Sequence, residues 1–316
     1  MRSAQAAIGI DLGGTNCRAA LVTSAGRTGD VLKVATRMAD GYSGFLATLA
    51  ELCGRLLDDS RARGMRVSAV GMGAPGIISR EGRVRVSPNL PELNGQDLAA
   101  DLADRLDLPT VVINDANAIC WGEALFGAGR SFSSFLTVTL GTGVGGGLVL
   151  DRRIWAGADG AAGEIGHLTV VPEGRPCGCG NRGCLEQYAS ARGIVLAVLE
   201  RLAAGQKSSL AELAAADLTS LEVAAAARSG DALALAVFAE AGRALGQALA
   251  GVANLLNLDG AVVTGGASES FDLMLPLVSE EIRQRAFEVS GRRLQIVRGE
   301  LGDDAGILGA AGMVLN

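Results

Sequence analysis

The sequence predicts an α/β protein built from two related halves, and three observations predict it. Short strands alternate with amphipathic helices along the chain, the pattern of sheets covered by helices. Residues 7–23 (AIGIDLGGTNCRAALVT) and 134–150 (SFLTVTLGTGVGGGLVL) share one design: an alternating strand, a glycine turn, and a second alternating strand. Gly14 and Gly141 stand 127 residues apart, far too long for a solenoid repeat and suited to a duplicated half. Two further strands, 69–76 and 261–267, also run into glycine turns. Halves of this kind are expected to face each other and aim their glycine turns into a shared cleft.

In order, the first hairpin covers 7–23 and a third strand covers 30–36. Residues 42–62 show helical spacing through Phe45, Leu49, Leu52 and Leu56. A strand over 66–72 leads into Gly73-Ala74-Pro75-Gly76, and 77–94 reads as a loop punctuated by Pro88, Asn89, Pro91 and Asn94. Residues 96–106 are amphipathic and Pro109 follows them. The wholly apolar Thr110-Val111-Val112-Ile113 reads as a central parallel strand. Asn114-Asp115 stands at its carboxyl end, where ligands sit in open α/β sheets, and a helix is expected over 116–127. Capping of that helix is the other reading of Asp115. The second half opens with 134–150 and continues through a glycine-rich loop, 157–166. Helices are expected over 185–204, 211–228, 231–256 and 271–288, strands over 261–264 and at the edge over 293–298. The glycine-rich 305–314 reads as a tightly packed helix.

With 316 residues and 49% hydrophobic residues, the chain can bury a large core in two domains. A formal charge of −6 gives no basic footprint, so nucleic acid is not an expected partner. Lys33 and Lys207 are the only lysines and neither follows a GxxxxG run, so a P-loop is excluded. Phosphate must instead be met by backbone N–H groups, threonine hydroxyls or Mg²⁺. Asp11, at the end of the first strand, is placed to hold that ion or its water; a plain capped hairpin is the alternative. Without a leader-like opening or an apolar run that spans a bilayer, a cytoplasmic protein with no membrane partner is expected. Cys17, Cys53 and Cys120 lie in apolar surroundings and read as small core residues.

The remaining cysteines are clustered. His167, the single histidine, precedes Cys177, Cys179 and Cys184 in HLTVVPEGRPCGCGNRGC. Three thiolates and an imidazole are the donor set of closed tetrahedral zinc, a structural role with no open position. A buried histidine beside reduced cysteines, or a redox pair, is the alternative. Glu164 and Glu186 flank the cluster, and closing a metal loop would hold both carboxylates near one point, where a pair of them recognises hydroxyl groups. The alternative is two solvated glutamates.

The chain resembles the ROK family of sugar kinases and sugar-responsive repressors, within the actin-like ATPase superfamily. The marks are Asp11-Leu12-Gly13-Gly14-Thr15, Asn114-Asp115-Ala116-Asn117-Ala118 with Gly122-Glu123 after it, Gly141-Thr142-Gly143, Ala162-Gly163-Glu164-Ile165-Gly166-His167, and the segment from Cys177 to Glu186. The resemblance implies a two-domain actin-like (ribonuclease H-like) fold with a ligand cleft. The expected division is 1–117, joined by a C-terminal helix at about 304–316, and 118–303 with the zinc loop. It implies that Asp11, Gly13, Gly14, Thr15, Thr142, Gly143, Gly265 and Gly266 surround ATP with Mg²⁺. It also implies that Gly73, Ala74, Asn89, Asn114, Asp115, Glu164, His167 and Glu186 line a monosaccharide site, with Asp115 as general base. His167 would then serve zinc through one ring nitrogen and a sugar hydroxyl through the other. The implied activity is ATP-dependent phosphorylation of a hexose, glucose first. Another hexose or an N-acetylhexosamine, polyphosphate as donor, and a non-catalytic sugar sensor are the alternatives. A homodimer is expected from the resemblance alone. Its repressors carry an N-terminal helix-turn-helix, for which a first strand beginning by residue 7 leaves no expected place.

Overall fold

The computed structural model describes residues 4–36 and 38–315. Position 316 of the expected C-terminal helix lies outside them. In chain order the first elements are β1 (Ala4–Leu12), β2 (Asn16–Thr23), β3 (Gly26–Ala35), α1 (Gly41–Ala62), β4 (Met65–Ala74), β5 (Ile77–Ile78), β6 (Val84–Val86), α2 (Leu98–Leu106), β7 (Thr110–Asn114) and α3 (Asp115–Phe126). There follow β8 (Phe135–Leu140), β9 (Val144–Leu150), β10 (Arg153–Ile154), α4 (Glu186–Ala189), α5 (Ala191–Ala203), α6 (Ser220–Arg228) and α7 (Ala232–Leu256). The last are β11 (Gly260–Thr264), α8 (Phe271–Arg285), α9 (Glu288–Arg293), β12 (Gln295–Arg298) and α10 (Ala305–Leu315). The chain divides into two compact units, the first made of 1–133, 147–163 and 299–316, the second of 134–146 and 164–298. Helix α3 and α10 group with the first unit, so that unit runs past the expected limit at residue 117 to Ser133.

The two larger sheets have the same strand order. One runs β3-β2-β1-β4-β7 and the other β10-β9-β8-β11-β12. In the first, β1, β2 and β3 are antiparallel neighbours, while β4 and β7 join in parallel. In the second, β10 is antiparallel to β9, and β8, β11 and β12 are parallel. The apolar strand β7 is an edge strand, a correction to its reading as central. Helices and the β5 ribbon cover its faces, so an unbroken apolar run arises here without a second strand neighbour. The stretch 77–94 holds the small β5–β6 ribbon and a 3₁₀ turn at Pro91–Leu93 rather than loop alone.

Period-2 alternation divides β1 between two cores. Ile8, Ile10 and Leu12 point with Met72 and Val112 toward Phe45, Leu49 and Leu98 of α1 and α2. Ala7 faces the other way, with Ala20 and Val22, onto Ile307, Leu308 and Ala311 of α10. Glycine decides how closely α10 can lie. A Cβ at Gly9 or Gly71 would strike the carbonyl of Ile307 or Ala310, and one at Gly309 would strike that of Ala118 on α3. Glycines of β1 and β4 let α10 seat against the sheet, and Gly309, which weakens α10 as an isolated helix, lets it seat against α3.

In the second unit, α7 is long and apolar enough to cross a bilayer by length and composition. Its Val237, Phe238, Ala241, Leu245 and Leu249 are buried, and it packs on α8, α6 and α5, as a core helix does. The expected helix 185–204 is two helices, because Ser190 turns to extended backbone and caps α5 by accepting from the Gly193 N–H. Only Ser220–Arg228 of the expected 211–228 is α-helical, with Thr219 and Glu222 forming a capping box at its start. The expected helix 271–288 stops at Arg285, and β12 is an edge strand as expected.

Candidate active site and metal centre

In the first unit the carboxyl ends of β1, β4 and β7 lie side by side and carry the polar residues. Asp11 is in register with Arg18 on β2 and with Gly73 on β4, and Gly73 with Ile113 on β7. A Cβ built on Gly73 would lie 3.4 Å from the Asp115 Cα, so β4 approaches the start of α3 closely. Asn114 is the N-cap of α3, its side-chain oxygen accepting from the Asn117 N–H at 3.0 Å. Its amide donates to the Gly76 carbonyl and to Asp115 Oδ1, both at 3.0 Å. Asp115 Oδ1 also accepts from the Ala116 N–H at 2.8 Å. Capping thus falls to Asn114, and Asp115 is held in the first turn at the carboxyl end of β7. Burial pushes the Asp11 carboxyl above its usual range, offset by Arg18 and reinforced by Asp303. The Gly13 N–H donates to the Asn16 carbonyl at 2.9 Å, and Thr36 donates to the Gly13 carbonyl at 2.8 Å. Gly14 and Thr15 stay exposed on this turn, with the exposed Asn89 beside Gly14.

In the second unit the turn after β8 holds Thr142 and Gly143, and Glu186 lies against it. The Glu186 carboxylate accepts from the Val144 N–H at 3.1 Å, and a Cβ on Gly143 would collide with it. Gly265 follows β11 with φ +88 and packs on the Leu140 carbonyl, which brings the 265–266 turn beside the 141–143 turn. A cavity of about 480 Å³ opens from Thr142 and Glu186 past Ser190 to Val195, Leu218 and Ser220.

The four clustered ligand residues converge. The donor atoms of His167, Cys177, Cys179 and Cys184 all lie within 4.8 Å of one another. Cys177 Sγ is 3.7 Å from His167 Nδ1, and Cys179 Sγ is 3.7 Å from Cys184 Sγ. Those separations match the edges of a tetrahedron with ligand bonds of about 2.0–2.3 Å. Burial and the neighbouring thiols push the Cys184 thiol up to about 12. Three sulfur groups gathered so closely favour a cation among them. The Cys177 N–H donates to the Asn181 carbonyl and the Gly180 N–H to the Cys177 carbonyl, folding the loop into a tight reversal. His167 presents Nδ1 to the thiols and Nε2 toward Glu164, whose Oε2 is 4.0 Å away. A metal on Nδ1 would fix the tautomer with its proton on Nε2. The structure thus brings His167 together with Glu164, and Glu186 together with Gly143.

Two supports escaped the sequence. Arg175 stacks on Tyr188 with 4.8 Å to the ring centroid, while its guanidinium bridges Glu200 and the Gln187 carbonyl. This pins the loop ahead of the cysteines to α4 and α5. Glu123, in an apolar stretch of α3, is fully buried and accepts three backbone N–H bonds. Its flanking glycines were the available signal.

Comparison with known proteins places this arrangement. The model of the ROK family matches residues 7–316. The chain belongs to the ROK family. It is 36% identical over 315 residues to a glucokinase of Halalkalibacterium halodurans, spanning 97% of this chain and 94% of that one. It is equally identical over 313 residues to a glucokinase of Thermotoga maritima, with 97% and 96% covered. Among solved structures it is similar to a ROK family glucokinase from Streptomyces griseus in complex with glucose and AMPPNP. There the TM-score is 0.80, the identity 34%, and 98% of each chain is covered. The two-domain actin-like ATPase fold follows for this chain.

Proposed function

We propose that the protein is an ATP-dependent glucokinase that uses Asp115 as general base. The observation that carries this reading is the placement of Asp115 at the carboxyl end of β7, beside Gly73 and the strand that ends in Asp11. Whole-length likeness to glucokinases of two bacteria supports the choice of sugar.

In this reading Asn114, Asp115, Asn89, Glu164, His167 and Glu186 bind the sugar hydroxyls. The Asp115 carboxylate accepts the proton of the attacking hydroxyl as that oxygen bonds to the γ-phosphorus and ADP departs. The N–H groups of Gly14 and Thr15, and of Thr142 and Gly143, would serve the phosphate chain, where charge builds in the transition state. Asp11 would hold Mg²⁺ or its water shell, and the ion would supply neutralisation of phosphate charge. A nucleoside fits the cavity that starts at Thr142, between Val195 and Leu218. His167, Cys177, Cys179 and Cys184 would hold a structural zinc ion, and with Nδ1 on that ion the His167 Nε2–H would be free to donate to a sugar hydroxyl.

The test is sugar-dependent ADP release with Mg-ATP across glucose, mannose, fructose, allose, N-acetylglucosamine and N-acetylmannosamine. Glucose is expected to give the highest kcat/KM. A higher value for another sugar would replace the substrate, and no turnover with any sugar would overturn the kinase reading.

A further inference from the structure

Glu123 is a carboxylate with no solvent exposure and, among the described residues, only backbone partners. Its Oε2 accepts from the Ala128 N–H at 2.9 Å and from the Glu300 N–H at 3.2 Å, and its Oε1 from the Leu301 N–H at 3.2 Å. Leaving a buried charge in an apolar helix is costly unless its acceptor sites are filled. Here they are filled by two segments far apart in sequence, one just after α3 and one just before α10. Glu300 and Leu301 follow Gly299, the residue at which the chain re-enters the first unit.

Both helices that Glu123 joins end at functional carboxylates. Asp115 is the first residue of α3, two turns before Glu123 on the same helix. The first turn of α10 rests on Asp11, and a Cβ on Gly306 would lie 2.9 Å from the Asp11 Cγ. Between these points α3 and α10 touch through backbone, at Gly122 against Ala305 and at Gly309 against Ala118. At these two points backbone rather than interdigitating side chains makes the contact and resists sliding weakly; the Leu125 and Trp121 side chains of α3 meet α10 only farther along, over Gly312.

We propose that Glu123 is a positioning residue that sets the register of α10 against α3 and so fixes the spacing of Asp11 and Asp115. The kinase role of those two residues rests on the function proposed above; the register itself does not. Displacements of about 1 Å in a phosphoryl-transfer site cost on the order of 10²-fold in rate.

The variant Glu123→Gln keeps the shape and replaces an acceptor by a donor that faces N–H groups. Gly127→Ala is the second variant, since a Cβ there would collide with the Glu123 carboxylate and displace it while leaving it in the sequence. Three measurements on each full-length variant decide. Amide hydrogen exchange at Ala128, Glu300 and Leu301 is expected to quicken roughly tenfold or more, with β1 and β4 unchanged. The kcat is expected to fall about 10- to 100-fold while KM for the sugar stays within about threefold. The Mg²⁺ concentration for half-maximal rate is expected to rise. Unchanged exchange at these three amides, or faster exchange spread evenly over the first unit, would overturn the proposal, as would parent values of kcat and Mg²⁺ demand. If the parent phosphorylates no sugar, the kinase reading fails by itself, and the exchange pattern alone decides the register.

Discussion

The two sheets share one strand order, and what stands at corresponding strand ends separates them. In the first, β1 carries Asp11 in its last two residues and β7 ends at Asn114, followed by Asp115, with Arg18, Asp303 and Asp304 close to the β2 side. In the second, β8 ends at Leu140-Gly141 and β11 at Thr264-Gly265, which offer backbone and hydroxyl but no carboxylate. The connection from the third strand to the fourth differs in the same way. It is residues 36–64, one helix, in the first sheet, and residues 155–259, with the cysteine loop and four helices, in the second. The second half thus imports its carboxylates, Glu164 and Glu186, on an insertion in which His167 and three cysteines converge. One scaffold used twice has been specialised by charge in one half and by an added loop in the other.

The largest effect that would break this contrast lies in the charged half. Asp115→Asn is expected to cut turnover by about 10²–10⁴ with sugar binding retained; steady-state rates within tenfold of the parent would remove Asp115 as base. In the half shaped by its loop, Cys179→Ala is expected to lose the metal, lower Tm by several degrees and raise the glucose KM together. Metal analysis beside calorimetric titration checks it, and a metal-free variant with parental sugar affinity would uncouple loop from site.

Asp11→Asn sharpens the contrast in a different way. Burial raises the Asp11 pKa, so its ionised form weakens the fold at pH values above that pKa, and the penalty fades as pH falls through it. The variant is therefore expected to match or exceed the parent in Tm at neutral pH, while losing roughly 10²-fold in rate. In the parent, protons compete with Mg²⁺ at this carboxyl, so Mg²⁺ demand should rise as the pH falls toward its pKa. A lower Tm for the variant across pH 6–8, measured by scanning calorimetry, would contradict the sign. The smallest effect is expected at Asp231, which caps α7. Burial alone would raise its pKa, but hydrogen bonds from Ala234, Ser209 and Ser208 outweigh it and hold it at about 2. That stability is present above the unfolded value and is lost as pH falls toward 2. Asp231→Ala should cost about 1 kcal/mol with kcat unchanged, and a shift in kcat would tie α7 to the site.

Sequence patterning carried the strands and the long helices because their apolar periods are strong, and the glycine turns carried the strand ends. It carried the convergence of His167 with the three cysteines because ligand identity and spacing are local. It failed where a local signal was overridden. The break at Ser190 hides in a helix-forming stretch, and β7 looks central because helices rather than strands cover it. Glu123 gave no sign of its partners: a lone glutamate on a helix normally faces water, and the backbone near residue 300 lies beyond any local window.

Helix α10 has a bearing on biosynthesis. The chain leaves the ribosome from its amino end, so β1 and β4 exist long before residues 305–315 are made. Until then the sheet face around Ala7, Gly9, Ala20 and Gly71 has no native cover. The first unit can therefore lock only after the second has been translated, and nascent chains stopped near residue 300 should bind apolar-seeking holdases that the finished protein ignores.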